Sequence, residues 1–190
     1  MTAQAGGPPR EGTGVLALAR NGTLAGQWNL VPAESSAEFA NRHFWNTITV
    51  HGRFGQISGE GTVAPDGTVT GQLVIEATSL TTGNKQRDKH LRSADFFDVA
   101  KHPRVVLSFR RATLSDTGTL NAEGTLEAAG VAEPVSFTAD VVAASPDRVT
   151  LRAQLTVDRS RFGMTWSPLR ISSLQVTGSV TGTFTRATTS

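Results

Sequence analysis

Few residues in this chain could do chemistry. Its histidines are His43, His51, His90 and His102, and it has no cysteine. A metal centre would need three or four imidazole or carboxylate ligands converging from separate segments without thiolate help, so no metal is expected. Asp88-Lys89-His90 sets a carboxylate two residues from an imidazole, but positions i and i+2 diverge on a helical turn and do not make a dyad. Asp88 and His90 are expected to cap or brace the segment that carries them, with contact to a ligand as the alternative. Ser160, Ser167 and Ser172 lie outside any G-x-S-x-G pattern, and no glycine-rich loop leads into a helix to cradle phosphate. No catalytic residue is assigned. An enzyme acting on a hydrophobic substrate would have to use a rim pair such as His43 with Asp88 or Asp95.

The elements that position these side chains follow from composition and period. The 190 residues suit one domain with one core. The 19 glycines and the short alternating apolar runs are those of an all-β domain. A pI near 9.7 suggests nucleic acid at first sight. The net charge is only +2, however, and a chain without Cys or Tyr has little to titrate between His and Lys. Arg and Lys alternate with acids instead of forming a basic face, so no nucleic-acid partner is expected. No stretch approaches the ~20 apolar residues of a membrane span, and the apolar patch Gly14 to Ala19 is short for a signal-peptide core. A cytoplasmic protein without stable membrane insertion is the expectation.

Residues 1–24, with Gly-Gly-Pro-Pro at positions 6 to 9, read as a flexible leader, and residues 25–187 as the folded domain. Within it, period-two runs cover Gln27 to Val31, Ser36 to His43, Thr47 to Phe54, Gly59 to Ala64 and Val69 to Ala77. They resume over Val105 to Leu114, Thr119 to Ala128, Val135 to Ala143, Val149 to Val157 and Leu174 to Phe184. Pro65-Asp66-Gly67, Asp116-Thr117-Gly118 and Ser145-Pro146-Asp147 supply turns between neighbours, which makes an antiparallel up-and-down meander. Asn84 to Arg92 breaks the pattern and predicts a helix. Ser93 to Val99 follows as a second helical turn with Ser93 as its cap, and Pro103 restarts the extended chain. This helical segment is expected to lie across one end of a barrel.

Alternation turns Val69, Gly71, Leu73, Ile75 and Ala77 to one face. It does the same for Val149, Leu151, Ala153, Leu155 and Val157, and for Val176, Gly178, Val180, Gly182 and Phe184. These face inward, joined by Ala122 and Gly124, while Thr70, Gln72, Arg152, Gln154, Thr177 and Thr183 face water. Glycine and alanine among the branched aliphatics imply either an under-filled barrel with an apolar cavity, or strands bent at barrel corners.

From Trp28 to about Arg186 the motif order resembles the YceI-like family of polyisoprenoid-binding, lipocalin-like barrels. Asp88-Lys89-His90-Leu91-Arg92-Ser93-Ala94-Asp95-Phe96-Phe97-Asp98-Val99 with His102-Pro103 is similar to the family's D-x-H-L-x-S-x-D-F-F-D-V block and its aromatic-Pro. Ser35 to His43 and Gly52-Arg53-Phe54 resemble the segments before that block. Gly124 to Leu126, Gly130-Val131 and Pro134-Val135 resemble those after it, and Asp158 to Gly163 is similar to the family's R-x-x-f/y-G loop before the final strand. The family commonly has an Asp and a His where this chain has Val31 and Glu34, and Phe and Ser where it has Leu107 and Phe109.

The resemblance implies an eight-stranded barrel with an apolar tunnel holding an isoprenoid lipid, such as a polyprenyl phosphate or a prenylated quinone, with no cofactor required and no catalysis. The tunnel wall it implies is Phe39, Leu73, Ile75, Leu91, Phe96, Phe97, Leu107, Leu126, Phe137, Leu155 and Val180. Its rim, facing the head group, is His43, Trp45, Asp88, His90 and Trp166. Adjacent Phe96 and Phe97 are expected to point apart, one closing the barrel and the other facing lipid or a second subunit. Trp45, Trp166 and Met164 form an adaptable gate or a dimer contact. Since family members often pair, a homodimer is expected. A filled structural barrel is the remaining alternative.

Overall fold

The computed structural model describes residues 11–43, 48–167 and 172–187. Strands β1 (Gly26–Leu30) and β2 (Ser36–His43) form one long strand bent by a 3-10 turn at Pro32–Glu34, and β3 (Ile48–Phe54) and β4 (Ile57–Val63) form a second. β5 (Val69–Glu76) follows. After a two-residue strand β6 (Leu80–Thr81) and a helix come β7 (Arg104–Leu114), β8 (Thr119–Ala128), β9 (Val131–Ala144), β10 (Arg148–Asp158) and β11 (Ser172–Arg186). Each long strand pairs antiparallel with its sequence neighbour, and β11 returns to pair with both β1 and β2. The ring is therefore a closed eight-stranded up-and-down barrel, and closure removes the unpaired edges an open sheet would present.

Closure survives the bend in the first strand because the free backbone groups are taken up locally. Val31 N–H donates to Thr183 O at 2.8 Å, and the Ser35 hydroxyl accepts from Thr183 N–H at 3.1 Å. This covers Thr183, which is 4% exposed although alternation assigned it to water. Its hydroxyl meets that of Thr150 at 3.1 Å.

The predicted strands are all present, β2 and β8 with the predicted limits, and their turn chemistry explains the joins. Gly67 and Gly118 have φ of 82° and 83°, which glycine adopts without a Cβ penalty. The β8–β9 turn instead puts Ala129 at φ 49° before Gly130 at 78°. Register shifts beside Phe109/Arg111 and Thr150/Leu151 mark bulges that change which residue of β7 and β9 faces inward. Beyond the bulge in β7, Ala112 replaces the odd-numbered series inside.

Two segments differ from the sequence expectation. The stretch assigned to a flexible leader contains helix α1 (Glu11–Arg20). Val15, Leu18 and Ala19 fall on one face at i, i+3 and i+4, and they pack with Leu24 and Trp28 under the barrel. The apolar patch that is short for a signal-peptide core is long enough for one helical stripe. Helix α2 (Lys85–Arg92) forms as expected, with the Asn84 side chain accepting from Arg87 N–H at 3.0 Å. Ser93, however, is its C-cap, donating to His90 O at 2.7 Å, and residues 94–97 are turns. No helix among the described residues is long and apolar enough to cross a membrane.

The glycines on the inner wall do not simply leave space. A Cβ on Gly71 would stand 2.7 Å from Phe109 Cζ and 2.6 Å from Glu60 O, and one on Gly52 would stand 2.2 Å from Phe39 Cζ. Phenyl rings lie across these glycines, so each glycine seats a ring. Gly71→Ala is expected to cost about 1–3 kcal/mol through overpacking. Gly178→Ala, whose new methyl would meet nothing nearer than 3.8 Å, should stay within about 0.5 kcal/mol of wild type. Thermal or urea unfolding of the two variants measures the contrast.

Candidate ligand tunnel and its rim

The inward face of a ring of eight strands encloses space that these side chains do not fill. An apolar cavity of about 370 Å³ runs through the upper barrel, within the range of small-molecule sites. Inward residues such as Leu107, Leu126, Phe137, Leu155 and Val180 are only half-buried, because the surface they leave open faces this void. Small side chains create it: Ala37, Ala122, Ala128, Ala139 and Ala153 stand on its wall. All eleven residues assigned to the tunnel wall line the cavity.

Phe96 and Phe97 both face inward, contrary to the expectation that they diverge. The segment around them is a chain of turns with Asp98 at φ 45°, so adjacent side chains are not forced apart as on a helix. Phe97 packs edge-to-face on Phe54 at 6.0 Å. Phe96 lies at the mouth beside His90 at 5.2 Å and Trp166 at 5.9 Å, and His90 meets Trp166 edge-on at 4.3 Å. Trp166 is 43% exposed and completes this aromatic rim. Met164 is buried with Ala128 and Phe162 beneath it and belongs to the packed wall. The His43 side chain and Trp45 lie outside the described residues.

Asp88 is not a rim group. It is 7% exposed and accepts from the Thr82 N–H at 2.8 Å, the Thr82 hydroxyl at 2.5 Å and the Thr81 hydroxyl at 3.1 Å. It faces back from α2 onto β6 and bolts the helix across the barrel mouth. Desolvation raises its pKa, but the hydrogen bonds from Thr82 and Thr81 and the Arg92 charge outweigh that and hold it below the ordinary aspartate value. His90 Nε2 pairs instead with Asp95 at 3.0 Å, partly exposed to solvent, so the divergence of i and i+2 holds. Ser160 is engaged with Asp158, and Ser167 and Ser172 bond one another's segment. Among the described residues, no group of three His, Asp or Glu is placed to hold a metal ion.

Arg159 is the residue that sequence reasoning missed. It is 5% exposed and lines the cavity on the 3-10 turn Arg159–Phe162 that follows β10. Its guanidinium donates to Ser173 O at 3.1 Å, to Trp166 O at 3.0 Å and to Met164 O, and sits 5.4 Å from the centre of the Phe96 ring. Burial lowers its pKa, and the neighbouring Asp158 charge partly offsets that. An arginine between an acid and a serine carries no period signal. Its place in the loop resembling the family's R-x-x-f/y-G pattern was the available clue.

A family model described as the YceI-like domain matches residues 28–186. A UPF0312 protein of Vibrio campbellii is 29% identical over 117 residues, 60% of this chain and 61% of that protein. The match thus spans about three-fifths of the relative's length. Among solved structures, Burkholderia cenocepacia BcnA superposes with a TM-score of 0.74 at 20% identity, covering 84% of this chain and 99% of that one. A polyisoprenoid-binding domain from Saccharophagus degradans, implicated in plant cell wall breakdown, superposes at 0.69 with 18% identity, covering 84% and 98%. At such identities these likenesses establish the barrel fold.

Asp88 gives a test of the brace. Its folded pKa is depressed, so its stabilisation is fully present above the unfolded value of about 3.9 and is lost as pH falls through the lower folded value. At neutral pH, Asp88→Asn should unfold more easily by about 1–3 kcal/mol, and the gap to wild type should narrow progressively as pH falls below about 4. Urea unfolding at pH 7 and pH 3 measures it.

Proposed function

The chain belongs to the YceI-like domain family, and from that membership and the apolar cavity we propose that it binds an isoprenoid lipid within the barrel, to carry or store it, and performs no catalysis. The observation that carries this reading is an inner wall, contributed by strands all round the ring, that leaves an apolar void inside the barrel. Such a void gains little by holding water and much by holding hydrocarbon. At about 0.8 kcal/mol per buried CH₂, ten buried carbons give roughly 8 kcal/mol before the costs of ordering the chain. Binding of this kind needs no reactive group. The groups best placed for chemistry are occupied, Asp88 by the threonines and Arg159 by three carbonyls.

The lipid is, on this reading, a polyprenyl phosphate or a prenylated quinone with its head at the α2 end. There the guanidinium of Arg159 and the imidazole of His90 line a mostly apolar cavity; Arg159 gives three of its five N–H groups to carbonyls, which leaves two for an oxygen-bearing head group. The polyisoprenoid-binding description of the Saccharophagus degradans domain and the shared barrel support the ligand class.

Delipidated protein titrated with a prenylated quinone and with a polyprenyl phosphate should bind at least one. Ala153→Phe, which pushes a ring into the cavity from β10, should weaken that binding about tenfold or more while the circular dichroism spectrum stays unchanged. Affinity unaffected by the substitution would place the lipid elsewhere on the protein.

A further inference from the structure

Below the main cavity lies a second apolar chamber of about 110 Å³. Its floor is Val15 and Ala19 of α1 with Leu24 and Trp28. The two chambers adjoin: Leu73, Phe109, Leu151 and Phe184 are among the side chains that line both and stand between them. An apolar chain that enters from the α2 end and displaces these side chains reaches the lower chamber. At about 110 Å³ the lower chamber is somewhat smaller than the roughly 150 Å³ cavity that holds a six-carbon benzene ring, a size that suits the five carbons of one isoprene unit.

The floor is held firmly to the wall. Arg186, near the end of β11, donates to Ala25 O at 2.7 Å, to Thr23 O at 2.5 Å and to Pro146 O at 2.9 Å. Its guanidinium lies 4.9 Å from the centre of the Trp28 ring. The indole N–H of Trp28 donates in turn to Leu24 O at 3.0 Å. These contacts fix residues 23–28, from which α1 folds back under the barrel with Val15 4% exposed. Helix α1 lies before the family-matched region, which begins at residue 28, so the α1 part of the floor is contributed by a segment outside the family domain.

We propose that this lower chamber takes the terminal isoprene unit of the ligand and that Ala19 and Leu24 set the chain length the protein prefers. The inference rests on the carrier reading above. Neither residue belongs to a paired strand of the barrel wall or lines the upper cavity, so substitutions in the floor change the lower chamber and not the upper one.

The test is the affinity of the full chain for a series of all-trans prenyl alcohols that lengthen by one isoprene unit, in wild type, Ala19→Leu and Leu24→Ala. Filling the chamber with Ala19→Leu should lower affinity for the preferred alcohol about tenfold or more, leave shorter alcohols unaffected, and move the optimum to a shorter chain. Leu24→Ala should move it the other way and raise affinity for the next longer alcohol. Equal binding of short alcohols by all three proteins shows that the variants fold. Identical length profiles would then overturn the floor proposal while leaving the carrier reading intact. A wild-type protein that binds no prenyl alcohol of any length, and neither a prenylated quinone nor a polyprenyl phosphate, would overturn the carrier reading as well.

Discussion

The alternation of side chains across a strand, once the sheet is closed on itself, governs everything else in this structure. In an open sheet a face of mixed alanine, valine and leucine can be covered by a neighbouring layer. In a closed ring that face can meet only itself, and its side chains must span the interior or leave it empty. Here alanines stand at Ala37, Ala122, Ala128, Ala139 and Ala153 around the wall, and the inward phenylalanines leave the space beside them unfilled. The ladders of hydrogen bonds hold the wall, while the interior contributes less packing than a filled core would. A ligand that completes that packing stabilises the folded state by mass action, so stability and binding are linked.

The two ends of the barrel solve different problems. At the α2 end the connection between β5 and β7 crosses the opening, braced by Asp88 from behind and edged by His90, Phe96 and Trp166. A buried arginine there holds the carbonyls of Met164, Trp166 and Ser173, a use of charge that is costly unless its donors are satisfied. At the opposite end the turns are short and α1 does the closing, pinned through Arg186 and Trp28. One end has aromatic and polar groups partly open to solvent, and the other is floored by the apolar side chains of α1, Leu24 and Trp28, which fits a ligand with a head and a tail.

Much of this was legible because strand period is a local signal. The limits of β2 and β8 and the inward series of β5, β10 and β11 follow from residue order alone, with turn residues marking the joins. What escaped was set by contacts distant in sequence or by breaks in period. Thr183 lies on the outward series and is buried only because the bend at Pro32 lays Val31 and Ser35 over it. The bulge in β7 shifts the pattern so that Ala112 turns inward. Phe96 and Phe97 converge because the backbone between them is not helical. α1 is stabilised by a barrel that its own ten residues give no hint of. In the site, the apolar wall was readable from alternation and resemblance together. The roles of Asp88 and Arg159 depend on which oxygen atoms the fold brings to them.

The central claim is that the void is a lipid's place. Native and denaturing mass spectrometry of the purified protein, with an organic extract analysed in parallel, tests it most directly. The account predicts a stoichiometric adduct that is lost on denaturation and recovered in the extract as a prenyl species whose mass identifies the head group. A protein that carries no lipid, and still carries none after incubation with prenyl quinones and prenyl phosphates, would contradict it.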